Sequence, residues 1–334
     1  MPRGGGAGMI VTKTPFRMSF LGGGTDFPEF YREHGGTVIS TTFDKYCYVS
    51  LRRLPPLFSY ENEVVYSKTE RVRDVAEIEH PAIREALLWQ GLSHVRLTYD
   101  ADLPARSGLG TSSAFAVGML HAMHVAKGER VTPFMLAEEA VELERVRCKE
   151  SGGVQDQIAA AFGGFNRIDF EGDTFTVTPL AISAERRAAL ASHLMLFFTG
   201  VSRYSMELQD AHQRAIPAKK AELFLMRDMA RAGAALLLGD APLAEFGALL
   251  HDAWCVKRGI AASITNDDID ALYEKARGAG ALGGKLLGAG GGGFLLFYVE
   301  PEKQSAVRKA LAPLVEVPFQ FTDTGTALVT NTGF

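Results

Sequence analysis

The sequence predicts an α+β fold in two domains. Its 334 residues are enough for two ordinary cores. Strand patterns, glycine loops and helical patterns mix along the chain without a regular strand–helix alternation. The character of the chain also changes near residues 183–188, from a β-rich first half to a second half dominated by long helices. We therefore expect a flexible leader at 1–8, one domain over 9–185 and a second over 186–334.

Residues 9–51 read as a strand, a glycine loop, a short helix at 28–33 and a β-rich run at 37–51. Val95 to Tyr99 alternates as a strand before the polar run at 104–113. Good helix formers then extend to Lys127, with Gly128 as the stop signal. Thr132 and Pro133 mark the start of a helix that should reach about Lys149. Alternation over 165–179 predicts a hairpin turning at 171–173. In the second half we expect a strand at 194–198, helices at 217–238 and 243–262, and another after Asn266. A glycine-dense run at 283–293 should lead into a strand at 294–299, then a helix at 302–314 and a strand at 316–322.

The bulk numbers exclude several classes. With 47% apolar and 22% charged residues and a net charge of −4, the chain has no dominant basic stretch to favour nucleic acid. No apolar run reaches membrane-spanning length. The three cysteines, Cys47, Cys148 and Cys255, lack metal-ligand spacing and suggest a reduced, cytoplasmic setting. His121 and His124 stand three apart without an evident third ligand, so packing is the preferred reading.

The loop Gly108-Leu109-Gly110-Thr111-Ser112-Ser113 opens directly into a helix. Glycines let backbone N–H groups close around an anion, and the helix adds its positive end, so phosphate is the natural ligand. Its hydroxyls could also meet magnesium. A strand-to-helix turn with serine caps would use the same residues. A Walker A loop is excluded, because no lysine stands in its place here and Gly284-Lys285 is followed by Leu286. The glycines at 288, 290 and 293 lead into a strand, the reverse of a dinucleotide fingerprint. Arg17, on the first strand, could stabilise a transferring phosphoryl group, and Asp26 could hold sugar hydroxyls or cap the helix near Pro28. Asp156, in a loop before a helical stretch, could also be a cap.

Taken in order, three segments resemble the motifs of the GHMP kinases, the superfamily of galactokinase, homoserine kinase, mevalonate kinase and phosphomevalonate kinase. They are Pro15-Phe-Arg-Met-Ser-Phe-Leu-Gly-Gly-Gly-Thr-Asp26, Pro104-Ala-Arg-Ser-Gly-Leu-Gly-Thr-Ser-Ser-Ala114 and Lys285-Leu-Leu-Gly-Ala-Gly-Gly-Gly-Gly293. The resemblance implies a ribosomal-protein-like N-terminal domain with a left-handed βαβ unit, a ferredoxin-like C-terminal domain, and ATP and acceptor bound between them. It implies a nucleotide site at Pro104, Ser107, Gly108, Leu109, Gly110, Thr111, Ser112 and Ser113, with Mg2+ on Ser112 and Glu144. It further implies that Asp156 orients or deprotonates the acceptor hydroxyl, with Arg17 beside it. Gly23, Gly24, Thr25, Asp26, Gly288, Ala289 and Gly290 would face the acceptor.

Where galactokinases carry Glu and His in the first motif, this chain has Gly23 and Gly24. That version, with residues 152–166 and 197–203, is most similar to the D-glycero-D-manno-heptose 7-phosphate kinases. The resemblance implies phosphorylation of O1 of a heptose 7-phosphate, on a route to GDP-heptose and surface polysaccharide. Arg203 is then the expected grip on the 7-phosphate, ahead of Lys13 and Lys45. A fucokinase-like enzyme for a plain sugar is the alternative, followed by a silent sugar or nucleotide sensor and a decarboxylase of the same fold. The expected partners are the sugar phosphate and ATP, with no nucleic acid or membrane, in a monomer or homodimer.

Overall fold

A computed structural model describes residues 8–200, 210–211 and 213–334. The expected leader and Arg203 therefore lie largely or wholly outside the described residues. The first layer is a nine-stranded sheet around two long strands, β1 (Met9–Leu21) and β2 (Gly36–Arg53). They pair antiparallel through most of their length, with Arg17 opposite Thr42. The short helix α1 (Pro28–His34) bridges them.

The segment after β2 adds β3 (Asn62–Val65), β4 (Thr69–Val72), helix α2 (Pro81–Gln90) and β5 (Val95–Ala101). Strand β3 runs parallel to β5, and β5 antiparallel to β2. The expected hairpin forms as β6 (Phe165–Glu171) and β7 (Thr174–Pro179), with β6 also on β2.

Helix α3 (Thr111–Lys127) packs across β1 and β2. It carries no charged residue before its last turn and is buried over most of its length, as its apolar sequence requires. Gly118 permits close approach: a Cβ there would lie 2.6 Å from the Thr14 hydroxyl, and the Thr12 hydroxyl donates to the Gly118 carbonyl at 2.8 Å. The next helix starts as expected, with Thr132 accepting from the Met135 N–H. It is not one α-helix to residue 149, however. The helix α4 (Pro133–Val141) passes into a π-helical turn at Glu142–Arg147 before α5 (Gln155–Phe162).

After α6 (Ala184–His193), a second sheet is built from β8 (Leu194–Phe198), β9 (Ala281–Leu286), β10 (Phe294–Val299) and β11 (Val315–Glu316). Its antiparallel order β11-β8-β10-β9 is the ferredoxin-like βαββαβ arrangement. Helices α7 (Lys220–Leu238), α8 (Leu243–Arg258) and α9 (Asp267–Gly278) fill the first crossover, and α10 (Gln304–Ala310) the second.

The expected strand at 316–322 is split. Pro318 interrupts it, so β11 ends in the second sheet while β12 (Phe321–Thr322) joins β2 in the first. Strand β13 (Ala327–Asn331) then pairs with β1, returning the end of the chain to the first layer.

Candidate active site

The three glycine segments meet in one cleft between the sheets. The second forms the approach to α3, with Gly108 at φ +84° and Gly110, the residue before the helix, at φ +70°. Both angles favour glycine. The first-turn N–H groups of this long helix face the cleft with its positive dipole end, a ready anion site. Strand β1 holds the loop in place: the Arg17 N–H donates to the Leu109 carbonyl at 3.1 Å, and Arg17 Nη1 to the Gly108 carbonyl at 2.7 Å. The third segment closes against it, since a Cβ on Gly288 would lie 2.4 Å from Gly108 Cα.

Asp156 stands in the first turn of α5. Its two carboxylate oxygens each accept from Arg17, Oδ1 from Nε and Oδ2 from Nη2, both at 2.7 Å. The guanidinium is 4% exposed and the carboxylate 25%, so this bidentate pair is anchored on its cationic side and open on its acidic side. One lone pair on each oxygen remains for a substrate proton.

Asp26 does not cap α1. The residue before α1 is Phe27, which makes no side-chain cap. Instead Asp26 Oδ1 accepts from the Gly24 N–H at 2.9 Å and Oδ2 from the Gln155 N–H at 3.3 Å. It thereby ties the first glycine loop to the start of α5. Burial raises its pKa, and the neighbouring Asp156 pushes it further up. Gly153 makes room for it, because a Cβ there would fall 1.8 Å from Oδ2.

Glu144 lies in the π-helical turn, which rotates it out of register with α4. Its Oε1 accepts from the Ser112 hydroxyl at 3.0 Å and Oε2 from the Ser113 hydroxyl at 2.8 Å. The Gln157 amide also donates to Oε2. Burial, reinforced by Glu150, raises its pKa to about 7 despite these three bonds. A carboxylate so destabilised beside a hydroxyl, at a phosphate-type loop, fits a small hard divalent cation that takes its other ligands from phosphates and water. Among the described residues, no group of three or more His, Cys, Asp or Glu side chains forms a self-contained metal cage.

The cleft is lined by Arg17, Gly23, Gly24, Asp26, Gly108, Gly110, Thr111, Ser112, Ser113, Glu144, Asp156, Gly288 and Ala289 among the residues singled out from sequence. Thr25, Ser107 and Leu109 are buried behind it and shape the loops, while Pro104 is exposed. Gly290 packs its backbone against Ile264. Lys13 lies over the Tyr46 ring and Lys45 pairs with Asp44, both away from the cleft lining. His124 is buried between Glu129 and Glu139, 2.6 Å from each. Burial therefore accompanies its two ion-pair contacts.

Sequence reasoning missed Lys257, Arg106, Arg145, Gln155 and Gln157, all of which line the cleft. For Lys257 a signal existed. It falls on the stripe Phe246, Leu250, Ala253, Trp254 of α8, where a cation interrupts an otherwise apolar face.

Two family models match, GHMP kinases N terminal domain over residues 71–164 and GHMP kinases C terminal over 234–314. A D-glycero-alpha-D-manno-heptose 7-phosphate kinase of Campylobacter jejuni is 29% identical over 317 residues, covering 90% of this chain and 93% of that protein. A crystal structure of a D-glycero-D-manno-heptose 1-phosphate kinase from Bacteroides thetaiotaomicron superposes with a TM-score of 0.77 and 27% identity, covering 96% of this chain and 99% of that one. The bifunctional fucokinase/GDP-fucose pyrophosphorylase of Arabidopsis thaliana is 26% identical over 89% of this chain, which spans 30% of that larger protein.

Proposed function

Since the chain belongs to the GHMP kinases, ATP-dependent enzymes with a hydroxyl acceptor, we propose that it phosphorylates O1 of D-glycero-D-manno-heptose 7-phosphate. In this reading the γ-phosphorus separates from the oxygen it shares with the β-phosphate, O1 forms the new bond to it, and the O1 proton passes to Asp156. The products are ADP and the 1,7-bisphosphate. The observation that carries the reading is the Arg17–Asp156 pair, held at 2.7 Å beside the start of α3. It sets a proton acceptor and a fixed cation where phosphate-binding N–H groups converge, and phosphoryl transfer needs mainly alignment and charge neutralisation.

Ser112 and Glu144 would hold Mg2+, which when bound supplies charge neutralisation on the nucleotide phosphates. Gly23 and Gly24 leave the acceptor side open, and Asp26 fixes the backbone there. Arg106, Arg145 and Lys257 add cationic character that suits two phosphorylated substrates in one cleft. The similarity to the Campylobacter heptose 7-phosphate kinase over nearly the whole of both chains supports this acceptor.

The fucokinase relative favours a plain sugar as the second reading. Coupled ADP-release assays across heptose 7-phosphate, free heptose, fucose, galactose and mannose separate the two. We expect kcat/KM for the first to exceed the others by about 100-fold, because a charged group lost from a built site costs several kcal/mol. Equal or better use of an unphosphorylated sugar refutes the proposed acceptor, and no ADP with any of them refutes turnover on this set of sugars.

A further inference from the structure

Lys257 lies outside all three glycine segments, yet it reaches the same cleft from α8. It is 5% exposed. Its ammonium donates to the Gly288 carbonyl at 2.8 Å, and Gly288 is the residue packed on Gly108 of the phosphate loop. An ammonium has three N–H donors. Among the described residues no carboxylate forms an ion pair with Lys257, and its one hydrogen bond is to Gly288. A neutral amide could hold a single carbonyl equally well. The molecule instead buries a cation, against the cost of desolvation, with unused donors on the wall of the cleft.

We propose that Lys257 is a further catalytic cation, whose ammonium binds the oxygens of the phosphoryl group as it passes from nucleotide to acceptor hydroxyl. This rests on the reading that transfer takes place beside Arg17 and Asp156. The charges around it fit that role. Arg17 from β1 repels Lys257, while Asp26 and Asp156, from the first loop and α5, attract it; Lys285 from β9 is itself pushed well below the ordinary lysine range by burial and by Lys257. Burial is the largest influence on Lys257 and, with Arg17, brings its pKa down to about 8. An arriving phosphoryl anion offsets both penalties, so the interaction strengthens where negative charge moves.

The test compares Lys257→Met, Lys257→Gln and Lys257→Arg, assayed for ADP release with ATP and the best acceptor of the sugar panel. Glutamine removes the charge but keeps an N–H donor for the Gly288 carbonyl, so it separates catalysis from a structural pin. We expect kcat to fall about 100-fold or more in both Met and Gln variants, with the KM for ATP changed less than about threefold. A Gln variant within about threefold of wild-type kcat overturns the proposal, whether or not the Met variant folds.

The wild-type protein gives a reading that needs no neutral variant. Its kcat/KM should decline above about pH 8 as the free enzyme's ammonium discharges, and Lys257→Arg should lose that limb. An alkaline limb that persists unchanged in an active Lys257→Arg overturns the assignment of that limb to Lys257. Asp156→Asn in the same assay keeps the two readings apart. An inactive Asp156→Asn with an active Lys257→Gln removes Lys257 alone, whereas an active Asp156→Asn removes the transfer site on which the inference rests.

Discussion

Replacing Glu144 with glutamine should make the metal-free protein more stable at alkaline pH. The wild-type carboxyl has a folded pKa of about 7 against 4.5 in the unfolded chain, chiefly because burial disfavours its charge. Between those values the folded protein binds more protons than the unfolded one, so stability falls as pH rises through the window. The penalty is complete above about pH 7. A shift of that size corresponds to about 3 kcal/mol at pH 8 and about 1 kcal/mol at pH 5. Glutamine is nearly isosteric and uncharged, and can still accept from the Ser113 hydroxyl and the Gln157 amide. Urea titrations in EDTA at the two pH values should therefore show Glu144→Gln gaining about 2 kcal/mol on wild type from the acid to the alkaline condition. The same variant should require more Mg2+ for turnover, since it offers the cation no charge. A stability difference independent of pH would refute the argument that Glu144 is a strained carboxylate awaiting a cation.

Two further outcomes bear on the geometry. Asp156→Asn should lower kcat by about 100-fold or more while leaving ATP affinity within about threefold, as measured by ADP release and nucleotide titration, because it removes the proposed proton acceptor but no proposed phosphate contact. Gly288→Ala should destabilise the protein by about 2 kcal/mol or more, since its Cβ meets Gly108 Cα at 2.4 Å and its φ is +80°. Gly91→Ala, at φ +65° with nothing within 4 Å of its Cβ, is the control and should cost only the backbone strain of about 1 kcal/mol.

What could be read from the sequence was local. Strand β10 falls on the expected residues 294–299, and the loop at 108–113 opens into α3 because glycines, hydroxyls and then helix formers follow in direct succession. Asp267–Gly278 forms after Asn266, whose side chain accepts from the Ile269 N–H. Long-range choices were not legible in this way. Residues 316–322 look like one strand, but they are shared between two sheets whose edges no local pattern records. Strands β3 and β4 have only four residues each, too few to establish an alternation. The motif resemblance placed Arg17, Glu144 and Asp156 in one site. It did not supply the π-helical turn under Glu144 or the role of Asp26, whose partners Gly24 and Gln155 come from different segments.

The glycine segments follow from a requirement of the cleft itself. The residues lining it come from both layers, so the layers must approach where the loop at 108–113 lies. Side chains there would hold the backbones apart. At Gly108 and Gly288 the contact is backbone on backbone, and a Cβ on Gly293 would meet the Ser107 carbonyl at 2.3 Å. Lys285 spans the same seam, with its buried Nζ donating to the carbonyls of Ser19 and Phe20 at 2.7 and 2.9 Å. Those carbonyls immediately precede the loop that presents Gly23 and Gly24. The first glycine loop is thus fixed by β9 of the second sheet, and the loop at 108–113 by Arg17 of the first. Separating the layers would disturb both loops together. Residues far apart in sequence make a single cleft because the two sheets dock through glycine and the charged groups bridge that docking.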